Sequence, residues 1–441
     1  MKKRLFIFLI VMVLSFTAFS TLSFAEPAEM DPVPEITARN AIMINLNTGA
    51  VVYEKDPDEK IYPASLTKLV TLLVASDMIT DYSQKITVSE ACYDDLVIGS
   101  SNIALKDQEL ISLDDLMYAI AISSANEATN AMAMHLCTDV ATFVGKMNEK
   151  AAQLGATSTH FINTHGLHDE AHYTTARDMS IIAKAAFSNK TVLKYLSASS
   201  HVIEPTNKTL VKRTLITTNS LIRQNSGIYY KYCIAGKTGT TTAAGYNLVS
   251  YAEKNDTEFI LVAMNVEKKP GSTNTVFADS KSMYSWGFEN YKNSKILNES
   301  DIITEVEVKL SVKSDHLVLL PEKNTYSVIP VDMDISTLER EIVTNEEIFA
   351  PITQGDPLGT ITLKKDGVTY ASVKLVAAND VDRSTVLYYL YLIETFFKNI
   401  WVRIICIILG VFVVFYVIVM ISQNNRRKKK KLRRRIRFWF D

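Results

Sequence analysis

The chain has too few cysteines for disulfides to hold it together. Of the four, Cys406 lies in a long apolar run near the C-terminus. That leaves Cys92, Cys137 and Cys233, an odd number that allows at most one internal bridge. Internal repeats and low-complexity linkers are also lacking, which excludes solenoid and largely disordered architectures. No His-Glu-x-x-His pattern occurs, although His160, His165, His168 and His172 crowd one stretch, and we read no metal site from them. The formal net charge of −1 conceals a division. The last eighteen residues carry ten Lys or Arg and one Asp, the first four add three positive charges, and the remainder carries −13. An acidic body argues against a polyanionic substrate, so nucleic acid is not an expected partner.

Both ends carry membrane signals. Residues 1–25 combine a basic start, an apolar run and Ser23-Phe24-Ala25, a small-x-Ala site at which a signal peptidase would cut. Near the other end, residues 404–421 contain no charge and would span roughly 27 Å as a helix, enough to cross the hydrocarbon core of a membrane. The basic segment 422–441 that follows is a stop-transfer flank, expected to remain in the cytoplasm against anionic lipid headgroups. Residues 384–403, rich in aromatics and poor in charge, suit an amphipathic helix at the outer membrane surface. These features predict an exported body held to the cell membrane by one C-terminal anchor.

Between the ends, 441 residues allow two domains with substantial cores. "AIMINLNTGAVVYEK" reads as two strands around Asn47-Thr48-Gly49. The apolar run "IYPASLTKLVTLLVA" follows as a buried helix. Residues 112–154 have helical periodicity, a Ser-x-x-Asp cap at Ser112 and Gly155 as a stop. Strands return near Tyr229, with a hairpin over 245–267 turning at 254–256, and "SKSMYSWGFENY" reads as a closing helix. Strands at both ends with helices between them predict one sheet covered by helices. After residue 298, strict alternation places Val306, Val308, Leu310 and Val312 on one face. Further strand runs at 326–331, 359–363 and 369–376 complete a small all-β module.

The unusual residue in the apolar helix is Lys68. Ser65, three positions earlier, shares its face, so hydroxyl and amine stand one above the other. An amine held among apolar side chains loses hydration, its pKa falls, and it becomes able to take a proton from an attacking hydroxyl. Ser-x-x-Lys alone is a weak signal, but "SSANEA" contributes Ser124 and Asn126, and "AGKTGTTTAAGYN" contributes Lys237-Thr238-Gly239 directly before a strand hairpin. Together these three motifs are the signature of class A β-lactamases and penicillin-binding proteins.

On these motifs, and on "FINTHGLHDEAHYTTARDM" and "APITQGDPLGTI", the chain resembles the exported D-alanyl-D-alanine carboxypeptidases, low-molecular-mass penicillin-binding proteins. The resemblance implies an α/β fold. Residues 36–295 would form a β-lactamase-like antiparallel sheet flanked by helices with a helical subdomain, followed by a small all-β domain over 301–378 and the C-terminal transmembrane helix. It implies that Ser65 is acylated, that Lys68 is its general base, and that Ser124 and Asn126 relay a proton to the leaving D-alanine and hold the substrate amide. Lys237 would add positive potential, and Thr238 would bind the substrate carboxylate. The N–H groups of Ser65 and Thr240 would form the oxyanion hole, and Gly239 would leave room for a substrate lying along the strand. The implied partners are the peptidoglycan stem pentapeptide and β-lactams as covalent inhibitors, and no cofactor is expected. Relatives often clamp the terminal carboxylate with an arginine beyond the Lys-Thr-Gly strand, yet none occurs between Arg223 and Arg340, leaving Lys268, Lys269 or Ser272 to substitute. Glu204 resembles the deacylating glutamate of β-lactamases but has its asparagine one residue too soon, so it is read as a strand or loop residue. Arg177-Asp178 is read as a structural pair at a helix start. The alternatives are a β-lactamase and a non-catalytic, membrane-anchored sensor of β-lactam or muropeptide.

Overall fold

The computed structural model describes residues 31–267 and 274–437. The signal stretch 1–25 and the clamp candidates Lys268, Lys269 and Ser272 lie outside them. Two compact units are present: one comprises residues up to Ser294 with Tyr326–Thr337, the other Lys295–Thr325 with the rest of the chain from Leu338. The run at 326–331, read in sequence as part of the β module, is thus grouped with the first unit, where Val328 joins the buried core.

The first unit is built on a five-stranded antiparallel sheet. β1 (Asn40–Asn45) and β2 (Val51–Lys55) form the first hairpin. After two short paired segments, β3 (Lys85–Thr87) with β4 (Leu110–Ser112) and β5 (Ser200–Ile203) with β6 (Arg213–Ile216), the sheet resumes with β7 (Cys233–Thr241), β8 (Gly245–Lys254) and β9 (Thr257–Val266). The strand order is β2-β1-β9-β8-β7, so β7 is an edge strand. The hairpin between β8 and β9 turns through Asn255 and Asp256, both at positive φ, the backbone that matches the sheet's twist. Lys237-Thr238-Gly239 lies within β7, the strand that directly precedes the β8–β9 hairpin.

Because side chains alternate across a strand, the sheet feeds two cores. Ile42, Ile44, Val249, Ile260 and Val262 face one; Ala41, Met43, Leu248, Phe259 and Leu261 face the other. The first core is completed by helices α1 (Lys68–Met78), α2 (Leu113–Ile122), α3 (Asn126–Leu136), α4 (Val140–Leu154), α5 (Ala176–Ser188) and α6 (Lys190–Leu196), and the second by α7 (Thr275–Asn290). The helical stretch 112–154 is therefore three helices. Ser112 caps α2 by accepting the Asp115 N–H, and Gly155 ends α4 at φ +92°, as its pattern predicts. Among the described residues all four cysteines are free.

The second unit carries a five-stranded sheet ordered β11-β12-β16-β15-β14, formed by Thr304–Glu307, His316–Pro321, Val368–Ala377, Pro357–Lys365 and Glu339–Thr344 respectively. β10 (Tyr291–Leu297) and β13 (Thr325–Pro330), most of whose residues belong to the first unit, pair with each other. The expected face of Val306, Val308, Leu310 and Val312 is interrupted: β11 ends at Glu307, Leu310 takes φ +66°, and Val312 is exposed. Positive φ takes the Leu310 backbone out of the extended region, so the alternation in sequence outlasts the strand in space. The chain continues into α8 (Thr385–Lys398), capped by Ser384, with Tyr389, Leu390, Ile393, Phe396 and Phe397 all exposed. α9 (Ile400–Arg437) follows and includes a 30-residue segment, Ile400–Lys429, long and apolar enough to cross a membrane.

Candidate active site

Ser65 sits in a short 3-10 turn, Ala64–Thr67, and Lys68 opens α1 directly after it. A 3-10 turn has three residues per turn, so positions i and i+3 eclipse more closely than on an α-helix. Lys68 Nζ lies 3.1 Å from Ser65 Oγ. The same nitrogen donates to Asn126 Oδ1 at 2.7 Å and to the His165 carbonyl at 2.7 Å. Lys68 is completely buried. Its pKa falls well below the ordinary lysine value because burial strips the ammonium of water and Lys237 repels its charge, with Glu127 opposing both.

The second buried amine is Lys237 on β7, whose Nζ donates to Ser124 Oγ at 3.0 Å and to the Thr238 carbonyl at 2.9 Å. Burial alone pulls its pKa down to about 7. Ser124 lies in the break between α2 and α3 at φ +59°, and Asn126 is the first residue of α3. The structure thus brings Ser65, Lys68 and Asn126 into one hydrogen-bonded set and pairs Ser124 with Lys237 in a second, with Ser65 and Ser124 lining the same cleft.

A cleft of about 250 Å³ opens over this set. It is lined by Ser65, Ser124, Thr238, Gly239 and Thr240 among others. Gly239, which lines the cleft, also meets a second constraint. A Cβ there would stand 2.9 Å from Pro63 O, 3.0 Å from Ser65 N and 3.1 Å from Leu66 N. The glycine therefore lets β7 close onto the nucleophile's own backbone, which is a tighter constraint than leaving space for a ligand.

Sequence reasoning missed the part of the wall beside β7. Thr218 and Ser220 line the cleft; Thr218 Oγ1 lies 2.6 Å from Thr238 Oγ1, and Arg223 Nη2 is 3.4 Å from Ser220 Oγ. These residues precede the Lys-Thr-Gly strand and belong to no motif, so only the fold exposes them. It also missed the His165 carbonyl, since backbone acceptors leave no trace in side-chain patterns.

The four histidines have separate tasks. His165 pairs with Asp95 at 3.1 Å and His172 with Thr67 at 2.7 Å, while His168 packs edge-on against Tyr62 and His160 Nδ1 lies 2.7 Å from the Ala171 carbonyl oxygen. Arg177 does not pair with Asp178. It bonds Asp58 at 2.7 Å and Glu54 at 3.1 Å, whereas Asp178 accepts from Ser158 N–H and from the Thr159 hydroxyl, each at 2.7 Å. Glu204 is exposed, bonds Lys212 at 2.8 Å, and is not part of the cleft lining.

A serine paired with a buried lysine beneath the edge strand of an antiparallel sheet, with a second lysine reaching across from that strand, defines the class: penicillin-binding serine hydrolases. A family profile described as D-alanyl-D-alanine carboxypeptidase matches residues 26–268, and one described as the C-terminal domain of penicillin-binding protein 5 matches 291–383. The D-alanyl-D-alanine carboxypeptidase DacF of Bacillus subtilis is 31% identical over 352 residues, covering 79% of this chain and 86% of that protein. DacA of Haemophilus influenzae is 28% identical over 419 residues, covering 90% and 97% respectively. The solved structure of penicillin-binding protein 5 from Haemophilus influenzae superimposes with a TM-score of 0.68 at 28% identity, covering 80% of this chain and 99% of that one. The chain belongs to the D-alanyl-D-alanine carboxypeptidase family and is a serine peptidase.

Proposed function

We propose that this enzyme removes the terminal D-alanine from the peptidoglycan stem pentapeptide through an acyl-enzyme on Ser65, and that β-lactams arrest it by acylating the same oxygen. The observation that carries this reading is the environment of Lys68 Nζ. Two of its three partners, Asn126 Oδ1 and the His165 carbonyl, can only accept, and the third is the Ser65 hydroxyl. A neutral amine has two hydrogens and one lone pair. Its hydrogens satisfy the two acceptors, and the lone pair is left facing the Ser65 O–H, ready to take its proton as the oxygen attacks the carbonyl.

The N–H groups of Ser65 and Thr240 receive the developing oxyanion, where one such donor is typically worth about 3 kcal/mol. Ser124, bonded to Lys237, delivers a proton to the departing D-alanine nitrogen, and Asn126 holds the peptide amide. Thr218, Thr238 and Thr240 offer hydroxyls to the terminal carboxylate, with Lys237 supplying positive potential. Water then releases the acyl group from Ser65. Replacing Ser65 by Ala should abolish both labelling by a fluorescent penicillin and D-alanine release from a pentapeptide; labelling that persists would remove Ser65 from this role. A β-lactamase would need an activated deacylating carboxylate, and Glu204 is on the surface, engaged with Lys212. A non-catalytic sensor would acylate once and release no D-alanine.

The same reading places the catalytic unit outside the cell. Residues 1–25 direct export, α8 lies at the outer membrane surface, 404–421 cross the membrane, and the basic tail stays inside. Protease added to intact cells should degrade the body and spare a tail epitope; the reverse pattern would invert the topology.

A further inference from the structure

His172 was left over by both the metal reading and the reaction, yet it is buried and both ring nitrogens are engaged. Nδ1 accepts the Ile162 N–H at 3.2 Å. The hydrogen must therefore sit on Nε2, which lies 2.7 Å from Thr67 Oγ1. Thr67 Oγ1 in turn donates to the Ala64 carbonyl at 2.8 Å. Direction is thus fixed along the whole chain, from the imidazole through the hydroxyl to that carbonyl. Burial holds the His172 pKa down to about 3, so the neutral ring persists at any working pH.

The Ala64 carbonyl belongs to the same peptide group as the Ser65 N–H. In a trans peptide the two point in opposite directions within one plane, so whatever fixes one aims the other. Ala64 is at φ +49°, a backbone conformation that a residue with a Cβ does not keep without external hold. Packing supplies the rest of that hold: a Cβ on Gly166 would fall 1.9 Å from Ala64 O, so the 163–166 loop closes directly over the carbonyl. Accepting a hydrogen bond also polarises the peptide and strengthens its N–H as a donor.

We propose that His172 and Thr67 are positioning residues for the oxyanion hole, acting in series to orient the Ala64–Ser65 peptide so that its N–H faces the reacting carbonyl. This rests on Ser65 being the nucleophile, and it assigns the histidine-rich loop a part in catalysis without contact with substrate. The role is exerted in the tetrahedral state, so it should appear in acylation rate rather than in the first, non-covalent encounter.

The test uses the full chain in detergent and the variants Thr67→Val, Thr67→Ser and His172→Phe, with Ser65→Ala as control. Penicillin acylation is resolved into encounter affinity and acylation rate, alongside binding of a peptide boronic acid that mimics the tetrahedral state. Thr67→Val should lower the acylation rate about 10- to 100-fold, as expected for a misaimed oxyanion donor, and weaken boronate binding in parallel while encounter affinity holds. Thr67→Ser, which retains the hydroxyl, should stay within about threefold of the parent. Adding Thr67→Val to His172→Phe should change the rate little beyond Thr67→Val alone, because serial links do not add. Should Thr67→Val fail to fold, His172→Phe carries the same rate and boronate measurements. A folded Thr67→Val that acylates at the parent rate, or a rate loss without boronate loss, overturns the inference. Labelling of Ser65→Ala would instead overturn the reaction on which it rests.

Discussion

Replacing Gly239 by Ala is the most direct test of how β7 and the nucleophile turn fit together. The added methyl would meet three backbone atoms, Pro63 O, Ser65 N and Leu66 N, at 2.9, 3.0 and 3.1 Å. None of these is the end of a flexible side chain, so either β7 or the turn must retreat by a few tenths of an ångström. Overpacking of this kind typically costs about 1 to 3 kcal/mol of stability. The functional cost should be larger, because the atom pressed aside is the nitrogen of Ser65 and the strand pressed aside carries Thr240. If the retreat removes most of one donor's contribution of about 3 kcal/mol, acylation falls on the order of a hundredfold. Stopped-flow acylation by a fluorescent penicillin, run beside a thermal melt, separates the two costs. A Gly239→Ala enzyme that melts near the parent temperature and acylates within threefold of it would show that the contact yields without disturbing the donors, and the steric argument would be wrong.

Lys68→Met keeps the length and apolar character of the side chain but cannot accept a proton. It should acylate at least about a hundredfold more slowly, and near-normal acylation at neutral pH would exclude Lys68 as base. Lys237→Met should abolish turnover yet raise the melting temperature at pH 7. Folding lowers the Lys237 pKa from 10.5 to about 7, so between those values the unfolded chain holds a proton the folded one lacks, and stability rises with pH across that window. The variant's thermal gain should therefore be greatest at or below pH 7 and shrink towards pH 10.5; a gain independent of pH would show that the buried amine is not the source of the penalty. Gly145 lies inside α4 with open space where a Cβ would go, so Gly145→Ala should stabilise by about 0.5 to 1 kcal/mol with unchanged acylation, measured by denaturant titration.

Much of the site was legible because its chemistry depends on residue type at fixed spacing. Ser65 and Lys68 stand out as polar groups in an apolar run, and Lys237-Thr238-Gly239 stands out before a strong hairpin signal. The fold of the first unit was legible for the same reason, since β1, β8 and β9 are short, near-continuous apolar runs bounded by turn signals, as strands buried on both faces are. What could not be read depends on contacts between segments distant in sequence. Thr218 and Ser220 become a wall only because β7 passes beside them, and the His165 carbonyl becomes an acceptor only because its loop packs on α1. Val312 fits an alternating pattern but is exposed, because the backbone turns at Leu310 and periodicity does not register a turn made by an ordinary residue.

The break between α2 and α3 shows why a helix signal is least informative where the chemistry is. Residues 112–136 are rich in Ala, Leu, Ile and Met and favour a continuous helix. On such a helix Ser124 and Asn126 would project about 200° apart, since each residue turns the axis by roughly 100°. One of the two would then face away from the cleft. In the structure Ser124 takes φ +59° and α3 begins afresh at Asn126. That single left-handed residue allows Ser124 Oγ to reach Lys237 while Asn126 Oδ1 reaches Lys68. Left-handed backbone costs a serine on the order of 1 kcal/mol, and Ala64 incurs a similar cost beside the nucleophile. Ala64 adjoins Ser65 of the Lys68 set and Ser124 is bonded to Lys237, and both residues are of types that local propensity would place in ordinary helix. The strain is held at Ala64 by the Thr67 hydrogen bond and the overlying 163–166 loop, and at Ser124 by its bond to Lys237, so substitutions that relax either residue should stabilise the fold and slow acylation together.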